Sequence, residues 1–410
     1  MLEPFYMIHE KLLNGARVPI RRLLMDEIDW SHRLIAITGG RGVGKTDFVL
    51  GYAKELEVQR NLQSYLGKEH DLTPCLYVNL SDFYFTEHSL LEFAEEFVKS
   101  GGKTLILDQT FKYKNWSNEL LECYSRYPDL HIIFVALPVM QSDVDDTNLE
   151  GIVKIYNLRG FSFREYLNLQ AKTNLPSYSL KDILAHHVEI ALEINSKVNP
   201  QTYFDDYLRF GYYPSYLNQT NFETNLLRTI NAVLDTDILI VKQINTDYIF
   251  KLRHLLYIML STTPSVCNVS KIAQQIGVSR ATTLNYIAYM REARLLNLLY
   301  TTEKKNLLIE KDIVRKPSKV YMHNTNLAYI VSDRKNPIQD IAETYFYETL
   351  HVRHKLNATD KGAMFLVDEL HYFDVYGNVP HRDTFRYSAI YNMNIGYNNF
   401  IPLWLFGFLY

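Results

Sequence analysis

With 410 residues, the chain is long enough for roughly two to four domains of ordinary size. Its formal net charge of −3 excludes an overall basic field that would draw it to nucleic acid or to an anionic membrane, so such binding requires a local patch. Hydrophobic residues make up 47% of the chain and charged residues 22%, which is typical of folded globular proteins and argues against intrinsic disorder.

Cysteine spacing and apolar segments exclude further classes of protein. The three cysteines lie far apart and form no CxxC pair, which disfavours a disulfide framework and a cysteine-based zinc site. No uninterrupted apolar run reaches the roughly 18–20 residues that a membrane-spanning helix needs. The N-terminal stretch contains charges and lacks the small-residue cleavage site of a signal peptide. We therefore expect a cytoplasmic protein without a membrane partner.

Five short apolar runs in the first 160 residues predict β-strands. They lie at 33–38, 75–80, 104–108, 131–137 and 152–158. The runs are nearly continuous rather than alternating, as expected for strands buried on both faces. Helical patterns lie between them, at 46–57, 89–99 and 116–125. This alternation predicts an α/β domain with a parallel sheet and helices on both faces.

A glycine-rich loop directly follows the first predicted strand. The segment GGRGVGKT (39–46) fits the pattern G-x-x-x-x-G-K-[ST], and helical residues follow it. In such a loop, backbone N–H groups and the start of the helix face phosphates, and glycines permit the close approach. We expect Lys45 to reach the β- and γ-phosphates of ATP and the Thr46 hydroxyl to bind Mg²⁺. The alternative is a simple tight turn. The predicted nucleotide-binding residues are Gly39, Gly40, Arg41, Gly42, Val43, Gly44, Lys45, Thr46 and Asp47.

Asp108 ends the third predicted strand, TLILD. A carboxylate at this point is expected to orient Mg²⁺ and its waters, so Thr46 and Asp108 are the predicted metal ligands. The alternative is a buried strand that merely ends in Asp. The next residue, Gln109, occupies the position where many such ATPases have a glutamate that acts as general base. An amide can hold a water but cannot accept its proton at neutral pH, which predicts tight nucleotide binding with slow hydrolysis.

Seven short segments, distributed along nearly the whole chain, carry a resemblance to a known family. They are GGRGVGKT (39–46), LYVNLSDFYF (76–85), LILDQ to YPDLHIIF (105–134), LRGFSFREYL (158–167), LRFGYYPSYL (208–217), KVYMHNTNLAY (319–329) and IPLWLFGFLY (401–410). Together they resemble bacterial AAA-family ATP-binding proteins with a C-terminal winged helix and a restriction-endonuclease-like domain. The resemblance implies an AAA-type P-loop domain at 1–165, a helical lid or linker region at 166–250, a winged helix-turn-helix at 251–310 and a small α+β nuclease-like domain at 311–410.

Three positions depart from the pattern of that family. The residues at 109–112 read QTFK where the family has Glu-x-His-Lys. The fourth strand continues into VALP (135–138), where the family has a polar sensor of the γ-phosphate. Gly151 and Ile152 stand where the family has a pair of arginines. The resemblance, with these departures, implies a nucleotide-dependent switch or scaffold with weak or lost hydrolysis and an unknown protein partner.

The segment 268–290 has the pattern of a helix-turn-helix. Apolar residues between 272 and 276 form one face of the first helix, Gly277 makes the turn, and Ser279 can cap the second helix. Basic residues are few there, so a protein-interaction or spacer role is the alternative to DNA binding. If DNA contact occurs, the candidates for reading base edges are Arg280, Thr282, Thr283 and Asn285.

For the last hundred residues, the resemblance implies a nuclease site made of a helix acid, a strand Asp and a Glu-x-x-x-Lys segment. Here Glu343 is the expected helix acid, Met364 stands at the strand Asp position, and Asp374 to Asn378 replace the Glu-x-x-x-Lys segment. We expect the nuclease fold without its chemistry. The alternative metal ligands are Asp368 and Glu369. The apolar tail at 401–410 is predicted to be a strand or helix packed into a core.

The remaining candidates are weaker. His351 with His354, and His381 near Asp383, are interpreted as surface histidines rather than metal ligands. Adenine contacts are expected before the P-loop, from Ile20, Arg21 and Arg22. Three functions stay open: a nucleotide switch or scaffold, a slow ATPase completed by an arginine of a partner, and a nucleotide-regulated DNA-binding protein.

Overall fold

The computed structural model describes residues 2–16, 19–65, 75–140, 149–214, 221–301, 316–331, 335–359, 362–380 and 386–410. The chain divides into two compact units, Met1–Arg159 and Gly160–Tyr410. Each unit has its own sheet and its own core, so each is described separately.

The N-terminal unit is built on a five-stranded sheet with flanking helices. Its strands are β1 (Leu34–Thr38), β2 (Cys75–Asn79), β3 (Thr104–Asp108), β4 (His131–Val135) and β5 (Lys154–Asn157). The order is β2-β3-β4-β1-β5, and every neighbouring pair is parallel. All five predicted strands and the parallel sheet are therefore confirmed.

The helices of this unit follow the predicted alternation. They are α1 (Glu3–Gly15), α2 (Leu24–Glu27), α3 (Lys45–Tyr65), α4 (Tyr84–Glu87), α5 (Leu90–Lys99) and α6 (Trp116–Arg126). In α5, buried residues recur with helical spacing at Leu90, Phe93, Ala94 and Phe97, and Ser89 caps the helix. The helix α3 continues two turns beyond the predicted end at residue 57. Its last turns are mostly exposed, so apolar periodicity gave no sign of them.

The C-terminal unit begins with helices. They are α7 (Phe163–Ala171), α8 (Leu180–Lys197), α9 (Gln201–Asp206), α10 (Phe222–Ala232), α11 (Leu239–Val241) and α12 (Ile249–Thr262), with π-helical turns at Tyr207–Gly211 and Val233–Ile238. The described residues between 163 and 255 are mainly helical. Ser162 and Glu165 form a capping box that fixes the start of α7.

Two helices and a two-stranded sheet follow. Helix α13 (Val269–Ile276) ends at Gly277, whose φ of 67° is the left-handed conformation that glycine adopts at low cost. Helix α14 (Arg280–Glu292) starts with the Ser279 side chain as its cap. Strand β6 (Leu296–Leu299) then pairs antiparallel with β7 (Lys319–Met322), which lies beyond the boundary expected at residue 310.

A mixed sheet closes the second unit. It contains β8 (Leu356–Asn357), β9 (Phe365–Val367), β10 (His371–Tyr376), β11 (Tyr387–Ile390) and β12 (Phe400–Pro402), in the order β12-β11-β10-β9-β8. Helix α15 (Ile338–Leu350) packs on β10. The final segment is a 3₁₀ helix, Leu403–Phe408, that is buried throughout, so the apolar tail is core, as expected. Among the described residues, no helix is long and apolar enough to cross a bilayer.

Candidate functional site

The glycine-rich loop lies between β1 and α3, at the carboxyl end of β1, which pairs with β4 on one side and β5 on the other. Gly39 packs so closely on the neighbouring chain that a Cβ placed there would lie 2.2 Å from the Leu158 carbonyl oxygen. Gly42 and Gly44 have φ values of 84° and 86°, which residues with a side chain rarely adopt. These three glycines are required by close contact or by backbone conformation, and they form the predicted loop.

Lys45 is held by the loop that precedes it. Its ammonium donates to the Gly39 carbonyl oxygen at 2.6 Å and to the Gly40 carbonyl oxygen at 2.9 Å. The Arg41 guanidinium lies 5.7 Å from the ring centroid of Phe111, which follows β3. Two cationic side chains, those of Arg41 and Lys45, therefore lie in or directly after the loop, and cations form strong hydrogen bonds with phosphate oxygens.

The remaining predicted residues of the loop differ in exposure. Val43 is buried at 2% exposure and packs under the loop, whereas Asp47, in the first turn of α3, is exposed. An acidic residue in the first turn is favourable for the helix dipole, so Asp47 has a structural role available that does not involve nucleotide.

The Asp108 carboxylate forms the centre of the site. It is only 2% exposed. Its Oδ2 accepts from the Thr46 hydroxyl at 2.7 Å and from the Tyr77 hydroxyl at 2.8 Å, and its Oδ1 accepts from the Gln109 backbone N–H at 2.7 Å. Thus the structure brings the two predicted metal ligands, Thr46 and Asp108, into direct contact.

This pair fits Mg²⁺ chemically. Magnesium prefers oxygen ligands, usually one or two protein groups together with phosphates and waters. A carboxylate has about four acceptor positions, and three donors reach that of Asp108 within the described residues. The fourth position, on Oδ1, leaves room for a metal ion or a water bound to it.

Gln109 has φ 56° and ψ 31°, a left-handed conformation that is uncommon outside glycine. It lies directly after the carboxyl end of β3 and is half-buried. Its backbone N–H is used by Asp108, as described above. The side-chain amide has no group that could take a proton from water at neutral pH.

The two other departures from the family pattern also lie in the N-terminal unit. Ala136 and Leu137 follow β4 and are buried, and the Ala136 backbone N–H donates to the Ile37 carbonyl at 3.0 Å. Gly151 and Ile152 form a turn in which the Ile152 N–H donates to the Leu149 carbonyl at 3.0 Å. Neither place offers a polar side chain to a phosphate.

The three residues expected near adenine lie before α2. Arg22 donates to the Arg159 carbonyl oxygen at 2.8 Å, close in sequence to the Leu158 carbonyl that Gly39 faces. Arg21 forms ion pairs with Asp26 and Glu55. The role of Ile20, Arg21 and Arg22 in adenine binding stays a prediction.

Tyr77 is the residue of this site that sequence reasoning missed. It lies in β2 at 4% exposure, and its hydroxyl reaches the Asp108 carboxylate. Burial, followed by the charge of Asp108, raises the pKa of the Tyr77 hydroxyl, which therefore stays protonated and donates. The available signal was a tyrosine within the apolar run CLYVNL, but only the pairing of β2 with β3 places it beside Asp108.

In the second unit, one DNA-contact candidate is wrong. Thr283 is fully buried, and its hydroxyl donates to the Ser279 carbonyl at 2.9 Å, so it cannot reach a base. Arg280 and Asn285 are exposed, and Thr282 is half-exposed beside the Ser279 hydroxyl. Because most of the later residues of α14 are buried, the exposed surface of this helix is small.

The expected nuclease residues are engaged with neighbouring side chains. Glu343 is buried, and its Oε2 accepts from Lys319 at 2.5 Å, while its Oε1 accepts from Gln339 at 3.0 Å. Asp374 accepts from the Met364 backbone N–H at 3.1 Å and lies 3.5 Å from an Arg386 nitrogen.

The alternative ligands lie elsewhere in that sheet. Asp368 and Glu369 both have positive φ in the turn between β9 and β10. Asp368 accepts from the Lys355 N–H at 2.9 Å and lies 2.6 Å from a His354 nitrogen, while Glu369 pairs with Lys355. The Nδ1 atom of His351, directly after α15, lies 2.9 Å from the carbonyl oxygen of Tyr347 in that helix. Within the described ranges, no cluster of three His, Cys, Asp or Glu side chains could hold a metal ion. His381 and Asp383 lie outside these ranges.

Comparisons with known proteins agree with the N-terminal geometry. Residues 31–167 match the family model of an AAA domain, and residues 201–337 match a domain of unknown function, DUF8612. A search of curated proteins gives no match.

Similar solved structures include AMPPCP-bound DnaA from Aquifex aeolicus, at 14% identity and a TM-score of 0.27, covering 71% of this chain and 88% of that chain. Another is PCH-2 from C. elegans, at 15% identity and a TM-score of 0.24, covering 44% of this chain and 47% of that chain. At such TM-scores the likeness carries no argument of its own. The parallel sheet and the glycine-rich loop agree with the match to the AAA model, and together they support an AAA-type P-loop fold for residues 31–167.

Proposed function

We propose that this chain binds ATP with Mg²⁺ through its P-loop and acts as a nucleotide-dependent switch or scaffold whose hydrolysis is weak or lost. The observation that carries the proposal is the contact of Thr46 with Asp108 beside the loop that holds Lys45. The Lys45 cation, which would contact phosphate, thus lies in one small region with the groups that would bind a metal ion.

Phosphate binding is supported by the loop and by the start of α3. Lys45 is the first residue of α3, so the positive end of the helix dipole and the loop N–H groups act on the same place. For phosphate to bind, the Lys45 ammonium exchanges its two carbonyl acceptors for phosphate oxygens, which are charged and therefore stronger acceptors.

Metal binding is supported by the oxygen ligands of Thr46 and Asp108. When bound, Mg²⁺ would neutralise phosphate charge and fix the orientation of the triphosphate. Thr46 and Asp108 would supply the oxygen ligands from the protein, and the nucleotide and waters would complete the shell of the metal.

Weak hydrolysis is supported by the residues at the positions where the resembling family has its catalytic groups. Gln109 cannot take up a proton, the residues after β4 are apolar, and the turn at Gly151 supplies no arginine. Each of these groups would act on the attacking water or on the charge that develops in the transition state. Their replacement lowers the rate of hydrolysis without weakening the binding of the ground state.

The experiment is isothermal titration of ATP and ADP in excess Mg²⁺, with a phosphate-release assay on the same samples. We expect saturable binding, a turnover below about 1 s⁻¹, and at least about tenfold weaker binding in Lys45→Ala, which removes the charge-assisted contacts to phosphate. Arg60→Ala, on an exposed turn of the same helix, is the control and should bind as wild type does. Absence of wild-type binding would contradict the proposal, whereas fast phosphate release would replace the switch by an active ATPase.

In this proposal, the second unit is the part of the chain that a protein partner recognises. The elements α13, α14, β6 and β7 support the assignment of a winged helix, and the small exposed face of α14 favours a spacer or a protein-binding role over DNA contact. Lys319 and Arg386 beside the two carboxylates support a nuclease-like fold that has lost cleavage. These assignments, and the four-part division of the chain, stay proposals.

A further inference from the structure

Tyr77 links the edge of the sheet to the candidate metal site. Among the described strands, β2 is an edge strand that pairs with β3 alone, and Tyr77 is opposite Ile106 in that pairing. On the other side, the Tyr77 backbone N–H donates to Nδ1 of His9, in α1, at 3.0 Å. The backbone of Tyr77 is thus fixed from both sides, by a neighbouring strand and by a helix that replaces the missing strand.

The side chain of Tyr77 is equally constrained. It is almost fully buried, and its hydroxyl lies 2.8 Å from Oδ2 of Asp108. The Thr46 hydroxyl lies 2.7 Å from the same oxygen. An oxygen of a carboxylate has about two acceptor positions, so these two hydroxyls fill those of Oδ2.

This arrangement determines which oxygen of Asp108 is accessible. Oδ1 accepts from the Gln109 backbone N–H at 2.7 Å and keeps one acceptor position. The Gln109 N–H is fixed in position because it belongs to the backbone, and the Tyr77 hydroxyl because its ring is buried. The first donates to Oδ1 and the second to Oδ2, so together they fix the orientation of the carboxylate. Thr46 is the only one of the three donors that is itself expected to bind the metal.

We propose that Tyr77 is a positioning residue of the Mg²⁺ site, because its hydroxyl holds the Asp108 carboxylate so that one acceptor position of Oδ1 stays available to the metal ion or its water. The inference rests on the proposed binding of ATP with Mg²⁺. If the inference is right, β2 contributes to metal binding in addition to the P-loop and β3. Phosphate contacts come from the loop and Lys45, so Tyr77 affects only the part of nucleotide affinity that depends on the metal.

The test is the change Tyr77→Phe, which keeps the buried ring and removes the hydroxyl. ATP affinity is measured by titration in excess Mg²⁺ and again in EDTA, for wild type and variant. We expect equal affinities in EDTA and a loss of about tenfold in Mg²⁺, the size expected for one hydrogen bond to a charged group. A titration with Mg²⁺ at fixed ATP should shift to higher metal concentration in the same proportion.

The matched control is Tyr113→Phe. The Tyr113 hydroxyl also donates to a carboxylate, that of Glu119, at 2.9 Å, but this pair does not contact Thr46 or Asp108. Its affinities should equal those of wild type in both conditions. The binding in EDTA also reports whether each variant keeps a folded site.

Each other outcome has a definite meaning. If Tyr77→Phe keeps the full gain from Mg²⁺, or loses affinity equally with and without the metal, Tyr77 has a structural role and the inference is wrong while the proposed function stands. If wild type binds no ATP in either condition, the proposed function fails and the inference fails with it.

Discussion

The carboxylate of Asp108 receives donors from three separate elements, which are the start of α3, the middle of β2 and the backbone after β3. At the residue scale, this arrangement supports the proposal that Asp108 is a metal ligand rather than an aspartate that merely ends a strand. Gln109, in a left-handed backbone conformation, stands at the position proposed for the general base. The proposal thus assigns binding and hydrolysis to different residues, and each set can be tested separately.

The first prediction concerns Gln109. In Gln109→Glu, a carboxylate replaces the amide and can accept the proton of an attacking water, so the rate of phosphate release should rise by about tenfold or more. ATP affinity in Mg²⁺ should change little. Gln109→Ala, which offers neither a base nor an amide, is the control and should show no gain. A Gln109→Glu rate equal to that of wild type would show that the missing base does not limit hydrolysis.

The second prediction concerns Gly39. In Gly39→Ala, the new methyl group would meet the Leu158 carbonyl oxygen, which belongs to the segment that continues β5. Such overpacking costs about 1–3 kcal/mol of unfolding free energy, and denaturant unfolding should show that loss. Gly15→Ala, at the end of α1, meets nothing within 4 Å and should leave the stability unchanged or slightly increase it. Equal stability of the two variants would contradict the close packing at Gly39.

At the scale of elements, α1 protects the exposed edge of the sheet. Edge strands present unpaired N–H groups, and here a side chain of α1 accepts one of them. An imidazole can accept at Nδ1 only in its neutral form. His9 is 2% exposed, and burial lowers its pKa despite the opposing charge of Glu57, whose Oε1 lies 3.7 Å from Nε2. The contact between α1 and β2 therefore depends on pH.

The third prediction follows from this pKa. Above the unfolded value of 6.5, His9 is neutral in both states. As the pH falls below that value, the unfolded chain takes up a proton that the folded chain refuses, so the free energy of unfolding decreases until the lower folded pKa is reached. His9→Asn keeps a side-chain acceptor without titrating, so its stability should decline less between pH 7.5 and pH 5.5. His131 and His187, whose pKa values are also lowered by burial, add a slope common to both proteins. Identical slopes would contradict the role of His9.

The sequence predicts elements better than contacts between them. Each strand of the first unit follows from a continuous apolar run, and the P-loop follows from glycines whose conformations only glycine adopts readily. Tyr77 could not be found because its role depends on the register of β2 against β3, which no local pattern encodes. Thr283 was misjudged for a similar reason, since its position in the helix–turn–helix pattern does not reveal that it is buried.

At the scale of the whole molecule, the chain forms two units whose cores are assembled differently. The first is built around a parallel α/β sheet in the order β2-β3-β4-β1-β5. The second joins segments far apart in sequence: Phe204 packs on Tyr345 with ring centroids 4.9 Å apart, and the Ser162 hydroxyl donates to the Tyr410 carbonyl at 2.8 Å. The residues proposed for nucleotide binding all lie in the first unit.

The central claim is that this chain holds ATP with Mg²⁺ and does not readily hydrolyse it. The most direct measurement incubates the protein with α-labelled ATP and Mg²⁺, removes free nucleotide by rapid gel filtration and identifies what stays bound. We expect about one nucleotide per chain, recovered as ATP over several minutes and absent from Lys45→Ala. Recovery of no label, or of ADP within seconds, would contradict it.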